Sequence, residues 1–486
     1  MTIERLRTGV AGLDSVLGGG LPRDRIYLVE GDPGVGKTTL ALQFLMHGVK
    51  QGEKALYITL SETEAEIRDI AASHGWNLDG IAMFELSALG EQMRRDAENT
   101  VFHPSDVELT ETTRTILEFV EKVKPARIVF DSLSELRLLA QSPLRFRREV
   151  LNLKQYFSGR HSTVLLLDDR TSEPGDMQLQ SLAHGVIAMN QLPPEYGGDR
   201  RRLRVSKLRG AAFLSGYHDF HIIEGGLEVF PRLVAAEHLR KYEAGSLSSG
   251  VDAIDAMLGG GLARGSSTII MGPAGTGKSV LSAQFVCAAA RRGTRSVVFV
   301  FDELRRTMIE RADSLGMDLS KHVAAGTVIV QQIDPAEMSP GELAARARDL
   351  VEEGEVDLVV IDSLNGYMQS MPAERYLYVQ MHEMLTYFGQ QGVTTVMLMA
   401  QTGIVGEIGT PADVSYIADC IVLLRYFEAG GRVRKAISAI KKRSGPHEDT
   451  IREISIDSGG VHLGEPLTGF QGVLTSVPLF GEKGPM

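Results

Sequence analysis

Short apolar runs alternate along this chain with longer segments in which apolar residues recur at helical spacing. Amphipathic segments of this second kind cover residues 64–74 and 304–315. Strands that alternate with helices predict an α/β fold, in which a mostly parallel sheet is flanked by helices on both faces. Ligands of such sheets bind at the carboxyl edge. The predicted strands are residues 25–30, 54–60, 126–130 and 162–168 in the first half, and 267–271, 296–301, 356–361 and 392–400 in the second.

The second half of the chain repeats the first in constant register. A Gly-Gly-Gly-Leu run begins at Gly18 and again at Gly259, and Lys37 and Lys278 are likewise 241 positions apart (278 minus 37). Similarity at one fixed spacing indicates duplication, and a chain of 486 residues is long enough for two or three domains. We predict two tandem domains, 1–232 and 245–486, joined by a polar linker over 233–244. Few apolar residues fall within 88–111, which predicts a mobile surface segment.

A glycine-rich loop of the pattern G-x-x-x-x-G-K-[ST] stands between the first strand and the next helix of each half. The backbone N–H groups of such a loop surround phosphates, its lysine reaches the terminal phosphates, and its hydroxyl residue is a ligand of Mg²⁺. The strand before it and the helix after it argue against a glycine turn without function. The predicted ATP-binding residues are Gly31, Asp32, Pro33, Gly34, Val35, Gly36, Lys37 and Thr38, and Gly272, Pro273, Ala274, Gly275, Thr276, Gly277, Lys278 and Ser279.

Carboxylates follow the neighbouring strands at the same edge of each predicted sheet. Glu62 comes after the second strand of the first half, and Asp302 and Glu303 come at the same place in the second. These carboxylates are candidates to orient or deprotonate the attacking group. Asp131 and Asp362 end a buried strand, which is the pattern of the Walker B aspartate that holds Mg²⁺ and its water. The predicted Mg²⁺ residues are Thr38, Asp131, Ser279 and Asp362.

A Lys-x-Arg pair occurs late in each half, as Lys207 with Arg209 and as Lys441 with Arg443. One interpretation is a solvated strand edge, which is what most basic runs are. The other is a cation that reaches the γ-phosphate on a neighbouring subunit, as an arginine finger does. Recurrence of the pair at the same place in both halves favours the second interpretation.

Composition narrows the class of protein. Hydrophobic residues make up 43% and charged residues 23% of the chain, as in soluble globular proteins, and the net charge of -11 argues against a dedicated nucleic-acid binder. No apolar run reaches 18 residues, and the first residues lack the apolar core of a signal peptide. The only cysteines, Cys287 and Cys420, lie in apolar segments and have no metal-site spacing. We predict a cytoplasmic protein that is not associated with a membrane.

The chain resembles the KaiC family of RecA-like ATPases, almost from end to end. The resemblance rests on the two loops, the Gly-Gly-Gly-Leu runs, the acidic pairs, the Lys-x-Arg strands and the segment 414–424. It implies two stacked RecA-like domains in a double-ring homo-hexamer, with ATP and Mg²⁺ between subunits. It also implies that Lys207, Arg209, Lys441 and Arg443 reach the nucleotide in trans, and that the first ring hydrolyses ATP.

The second ring of the family's circadian clock protein also phosphorylates the neighbouring subunit on an adjacent Ser-Thr pair. The matching positions here are Ser415 and Tyr416, and Thr410 matches a further threonine nearby. The resemblance therefore implies Ser415 and Thr410 as candidate phosphoacceptors, in a protein with a signalling or clock-like role and protein partners. The acidic pairs depart from the two glutamates typical of the family, because this chain has Ser61-Glu62 and Asp302-Glu303.

Two other classes of function remain open at this level. A RecA-like DNA-dependent ATPase would need a basic channel, for which residues 145–148 and 200–202 are candidates, but no series of aromatic residues accompanies them. A nucleotide-gated scaffold would bind ATP without turning it over. Stimulation of the ATPase by single-stranded DNA distinguishes the first class, and turnover against mere binding distinguishes the second.

Overall fold

The computed structural model describes residues 4–86, 104–169, 178–193, 197–369, 376–401, 416–468, 470–471 and 479–480. The chain divides into two compact units, Met1–Arg232 and Leu233–Met486. Each unit is built on a nine-stranded, mostly parallel sheet with a hydrophobic core on each face. This is the α/β architecture that the alternation of strands and helices predicts, in the tandem RecA-like arrangement that the family resemblance implies.

In the first unit the sheet order is β11-β10-β9-β8-β3-β7-β6-β4-β5, and neighbours are parallel from β8 to β5 and antiparallel from β8 to β11. The strands are β1 (Arg5–Leu6), β2 (Leu21–Pro22), β3 (Ile26–Gly31), β4 (Ala55–Thr59), β5 (Ile81–Glu85), β6 (Arg127–Asp131), β7 (Thr163–Asp169), β8 (Gly185–Leu192), β9 (Arg200–Leu208), β10 (His218–Ile223) and β11 (Gly226–Phe230). The helices are α1 (Ala11–Val16), α2 (Lys37–Lys50), α3 (Glu64–Ser73), α4 (Pro104–Val123), α5 (Leu133–Ala140), α6 (Pro143–Phe157) and α7 (Gln178–Leu182).

The second unit repeats this order as β16-β15-β17-β18-β14-β19-β20-β21-β22. Its strands are β12 (Ser246–Leu247), β13 (Leu262–Ala263), β14 (Ser267–Gly272), β15 (Arg295–Val300), β16 (Val328–Gln332), β17 (Val356–Asp362), β18 (Thr394–Ala400), β19 (Cys420–Ala429), β20 (Arg432–Lys442), β21 (Arg452–Asp457), β22 (Gly460–Pro466), β23 (Phe470–Gln471) and β24 (Leu479–Phe480). Its helices are α8 (Asp252–Met257), α9 (Lys278–Arg291), α10 (Arg305–Ser314), α11 (Leu319–Ala324), α12 (Pro340–Glu352), α13 (Leu364–Gln369) and α14 (Leu377–Gln391).

The central strand of each unit shows why these residues form a buried parallel sheet. Successive side chains of a strand point to opposite faces, and a strand covered on both faces is apolar throughout. On β3, Tyr27 and Val29 belong to the core on one face, whereas Ile26 and Leu28 belong to the core on the other. The strand is therefore fixed from both sides, and its carboxyl end presents the loop that starts at Gly31.

Helix α4 corrects the prediction for residues 88–111. Part of that range, 104–111, belongs to a helix that continues to Val123, and Leu109 and Thr112 on it are buried. The apolar residues of this helix are few and widely spaced. The count of apolar residues was therefore a poor guide to whether this part of the chain is helical. Residues 88–103 lie outside the described residues.

The predicted linker, residues 233–244, belongs to the second compact unit. It contains one short 3-10 helix, Ala235–Glu237, and Leu233 and Ala235 are buried in a core of that unit. Farther along, the Tyr242 ring lies directly against Gly265 and Gly392. The segment lies against the second unit along its length, and its role as a linker stays a prediction.

Candidate functional site

The first glycine-rich loop encloses the lysine that ends it. Lys37 is only 7% exposed, and its Nζ donates to the carbonyl oxygens of Gly31 and Asp32, both at 2.9 Å. Gly36 has a φ of 107°, and a Cβ there would lie 2.7 Å from the Ile222 side chain. Only glycine fits this position, because the backbone is left-handed and the space is occupied. The loop thus brings the ammonium group to the start of α2.

The second loop has the same geometry. The Nζ of Lys278 donates to the carbonyl oxygens of Gly272 at 2.9 Å and Pro273 at 2.8 Å. Gly277 has a φ of 107°, and a Cβ there would lie 2.5 Å from Ile456. In both units, a helix N-terminus and a lysine meet at the carboxyl end of the central strand, which is an arrangement that binds phosphate.

Asp131 lies at the end of β6, beside the hydroxyl residue of the first loop. Its Oδ2 accepts a hydrogen bond from Thr38 Oγ1 at 2.9 Å and another from the Tyr57 hydroxyl at 2.5 Å. Burial raises the pKa of Asp131, while the hydrogen bonds from Tyr57 and Thr38 and the charge of Lys37 oppose this shift. A carboxylate and a hydroxyl this close offer two oxygen ligands of the kind that Mg²⁺ takes beside a phosphate.

Asp362 occupies the corresponding place at the end of β17. Burial raises its pKa to about 6, and a hydrogen bond with Ser279 partly offsets that rise. Its Oδ2 is buried and has no hydrogen-bond partner among the described residues. A buried carboxylate oxygen without a partner is costly, and a cation beside Ser279 would satisfy it.

Glu62 follows β4 and approaches the same edge of the first sheet. Burial raises the pKa of Glu62, and the charges of Asp131, Glu66 and Asp169 raise it further. Its Oε2 is buried without a hydrogen-bond partner in the part of the chain that the structure describes. A carboxylate with raised pKa and an available oxygen has the properties of a general base.

In the second unit, both carboxylates that follow β15 accept hydrogen bonds from neighbouring side chains. Asp302 accepts a hydrogen bond from the Ser363 hydroxyl at 2.5 Å. Both carboxylate oxygens of Glu303 accept from Arg311, at 2.6 and 2.7 Å. The two carboxylates are therefore held by neighbouring side chains, in contrast to Glu62.

Sequence reasoning missed Asp169, the last residue of β7. Its Oδ1 lies 2.7 Å from the Nζ of Lys37, and strand pairing places it directly opposite Gly31. The corresponding residue of the second unit is Ala400, which pairs with Gly272, and burial lowers the pKa of Lys278. An acidic residue at the end of an apolar strand was a usable signal, but the predicted strand stopped one residue short.

The structure does not bring either Lys-x-Arg pair to the loop of its own unit. Lys207 pairs with Val186, which pairs with Leu28, three residues before Gly31 and about 10 Å toward the amino end of β3. Its Nζ donates to the carbonyl oxygen of Gln180 at 2.7 Å, and Arg209 donates to the carbonyl oxygen of Ser181 at 3.3 Å.

The pair of the second unit lies in the same way. Lys441 donates to the carbonyl oxygen of Ala418 at 2.8 Å, and Arg443 donates to the carbonyl oxygen of Tyr416 at 3.2 Å. Both pairs thus lie toward the amino end of their sheet, away from the loop of the same unit.

The predicted phosphoacceptors, Thr410 and Ser415, lie outside the described residues. Tyr416 beside them is described, and 56% of it is exposed. In the described ranges, no three His, Cys, Asp or Glu side chains form a group that could hold a metal ion by themselves. None of the described helices is both long enough and apolar enough to cross a membrane. Both cysteines are buried and free.

Comparison with known proteins agrees with this geometry. The family model described as "ATPase: KaiC" matches residues 6–234 and again residues 247–468. The chain is 28% identical over 98% of its length to the circadian clock protein KaiC3 of Synechocystis sp., of which the alignment covers 95%. It is 27% identical to the circadian clock oscillator proteins KaiC of Picosynechococcus sp. and Acaryochloris marina, again over 98% of this chain and over 92% and 91% of theirs. Since the family model covers nearly the whole chain in two copies, this protein belongs to the KaiC family of P-loop ATPases.

Proposed function

We propose that the protein hydrolyses Mg-ATP at two kinds of site in a double-ring homo-hexamer, and that it acts in signalling or a clock-like process. The observation that carries this proposal is the pairing, in each unit, of a phosphate loop with a buried aspartate. Thr38 is hydrogen-bonded to Asp131, and Ser279 lies close enough to Asp362 to lower the pKa of that carboxyl. Hydrolysis needs little covalent chemistry from the protein, because positioning and charge neutralisation lower most of the barrier.

Mg²⁺ fits these residues and would be held by Thr38 with Asp131, and by Ser279 with Asp362. When bound, it supplies positive charge to the β- and γ-phosphates. Lys37 and Lys278 bind the phosphate oxygens, and the backbone N–H groups of the two loops fix their position. Glu62 accepts a proton from the attacking water in the first site, where its raised pKa supports that role.

The position of the Lys-x-Arg pairs supports assembly. Neither pair can serve the loop of its own unit from the amino end of the sheet, so we propose that each completes a site on the adjacent subunit. A surface that reaches a different surface on the next copy makes a head-to-tail contact, and such contacts form a ring when the rotation between copies closes. The homo-hexamer is the ring that family membership favours.

The second domain is proposed to phosphorylate Ser415 or Thr410 of a neighbouring subunit. A hydroxyl group can replace water as the acceptor of the γ-phosphate when it is positioned for in-line attack. The proton of that hydroxyl would pass to Asp302 or Glu303, the two carboxylates that follow β15. Cytoplasmic localisation and protein partners remain predictions from the sequence.

Two of the arginines that were candidates for a DNA-binding channel are paired with acidic residues, which weakens the case for a DNA-dependent ATPase. Arg202 lies 3.3 Å from the carboxylate of Asp219, and Arg201 lies 3.8 Å from that of Asp199. Their charge is therefore partly neutralised within the unit. Failure of single-stranded DNA to stimulate the ATPase is the expected result, and a strong stimulation would favour the recombinase or helicase class.

Glu62→Gln is expected to lower the turnover of the first site about 100-fold or more, because glutamine cannot accept the proton of water. ATP binding should be unchanged, as measured with a fluorescent ATP analogue on the full chain. Glu64→Gln is the control, since Glu64 is an exposed carboxylate two residues away that pairs with Arg68. An unchanged steady-state rate in Glu62→Gln would exclude Glu62 as the catalytic carboxylate.

Lys37→Ala combined with Lys278→Ala is expected to abolish assembly driven by Mg-ATP, because the phosphates that bridge subunits lose their principal cation. Sedimentation velocity of the wild type should show a ring with Mg-ATP, and the double variant should remain smaller. Lys50→Ala, an exposed lysine at the end of α2, is the control. A wild-type protein that stays monomeric in saturating Mg-ATP contradicts the prediction.

Incubation with Mg-ATP is expected to place phosphate on Ser415 or Thr410, and Lys278→Ala should prevent it by removing the phosphate-binding cation of the second site. Tyr416 should remain unmodified, because its hydroxyl lies several ångströms farther from the backbone than that of serine. Phosphopeptide mapping by mass spectrometry measures both. If residues 405–425 carry no phosphate in a preparation that hydrolyses ATP, the kinase proposal fails and the ATPase proposal stands.

Asp169→Ala is expected to lower the Kd of the first site for ATP about tenfold, or roughly 1.4 kcal/mol. Asp169 competes with phosphate for the ammonium of Lys37, so its removal leaves a buried charge that ATP can satisfy. Ala400→Asp is the matched exchange in the second unit and should weaken binding there. Fluorescent-nucleotide titration of the full chain measures both, and a higher Kd in Asp169→Ala would show that Asp169 assists binding instead.

A further inference from the structure

One of the two candidate bases of the second site, Glu303, is held by a guanidinium group. Arg311 Nη1 donates to one oxygen of Glu303 at 2.6 Å, and Nη2 donates to the other at 2.7 Å. The side chains are 33% and 21% exposed, so water screens this pair only in part. Two parallel N–H···O bonds to a carboxylate form one of the strongest and most directional pairs available to side chains.

The first unit lacks this contact at the equivalent position. Helices α3 and α10 correspond residue for residue with the spacing of 241 that also relates Glu62 to Glu303, and Arg311 (311 minus 241) corresponds to Ile70. Ile70 packs against the hydrophobic core of the first unit. One oxygen of Glu62 is buried without a hydrogen-bond partner among the described residues. The same carboxylate is therefore held in one unit and available in the other.

This difference bears directly on hydrolysis. A bond forms between the water oxygen and the γ-phosphorus, the bond from phosphorus to the ADP oxygen breaks, and one proton of the water passes to the base, which later releases it to solvent. Each oxygen of Glu303 accepts one N–H bond from Arg311 and keeps a second lone pair. A proton that arrives there removes the negative charge that the guanidinium binds, so proton transfer to Glu303 weakens this pair. The second carboxylate of the pair, Asp302, is itself engaged by Ser363.

We propose that Arg311 restrains hydrolysis at the second site by holding Glu303, so that this site retains ATP longer than the first site does. The inference rests on the proposed function, since it concerns the rate at one of the two ATPase sites. Arg311 is a positioning residue that acts through Glu303. Asp362 also interacts electrostatically with Arg311 and with Glu303, and it stays in place when Arg311 is replaced.

The test uses the full chain in a Glu62→Gln background, in which the remaining hydrolysis comes from the second site. Arg311→Ile introduces the residue of the first unit, and Arg311→Gln keeps a polar side chain in case the apolar one disturbs α10. Both are expected to raise kcat about tenfold or more, with the KM for ATP changed by less than about threefold. Arg311→Lys keeps the positive charge but cannot form two parallel hydrogen bonds with the carboxylate. Its kcat should therefore lie between that of these two variants and that of the Glu62→Gln background.

Two further measurements separate this role from a merely structural one. Adding Glu303→Gln to Arg311→Ile should cancel the increase in kcat, because that increase depends on the Glu303 carboxylate. The ratio of ADP to ATP retained on the purified protein should rise in Arg311→Ile. Arg306→Ile is the matched control, because Arg306 forms an exposed ion pair with Glu310 on the same helix and should change neither reading.

The outcomes distinguish this inference from the proposed function. If the wild-type chain turns over no ATP, the proposed function and the inference both fail. If the wild type turns over ATP and neither Arg311→Ile nor Arg311→Gln raises the rate in the background, the inference alone fails. A gain that survives Glu303→Gln also overturns it, since Arg311 would then act by another route.

Discussion

Each half of the chain holds a lysine ammonium inside the loop that ends its central strand, and the rest of the site depends on that cation. Two carbonyl oxygens of the loop are its neighbours in both halves. Carbonyl dipoles alone compensate a charge only in part, so the groups on the adjacent strand ends decide how strongly the lysine is held. The charge of Lys37 in turn favours the ionised form of the buried Asp131. The cation and the carboxylates therefore have to be considered together.

The two units have the same strand order but balance these charges differently. The first places Asp169 on its lysine and leaves Glu62 available, whereas the second has Ala400 beside its loop and places Arg311 on Glu303. A duplicated fold can diverge in this way at little cost, because single residues at strand ends and helix faces change a site without moving its elements. The first unit thus places an acidic side chain on its loop lysine, and the second places an arginine on one of its two strand-end carboxylates.

Much of this was readable from the sequence, and the limits have physical causes. The loops were readable because their function fixes both residue types and spacing, and the strand alternation gave the α/β fold. Asp169 and Gly31 are neighbours only through strand pairing, which the spacing of residues does not reveal. The pair of Glu303 and Arg311 depends on how the chain turns into α10. Helix α4 was misjudged because few apolar residues, such as Leu109, suffice to bury one face.

The Lys-x-Arg strands raise the question of why a nucleotide site would depend on another subunit. A cation supplied by the same unit would be present whether or not the protein had assembled, so hydrolysis and assembly would be independent. Cations at the amino end of each sheet instead make a complete site a property of the contact, if the proposed ring forms. Binding energy between subunits then contributes to stabilising the transferring phosphate. Under this proposal, nucleotide binding and subunit assembly are thermodynamically linked, and such linkage is reciprocal. A change at one subunit contact would therefore alter the binding of the nucleotide at that contact.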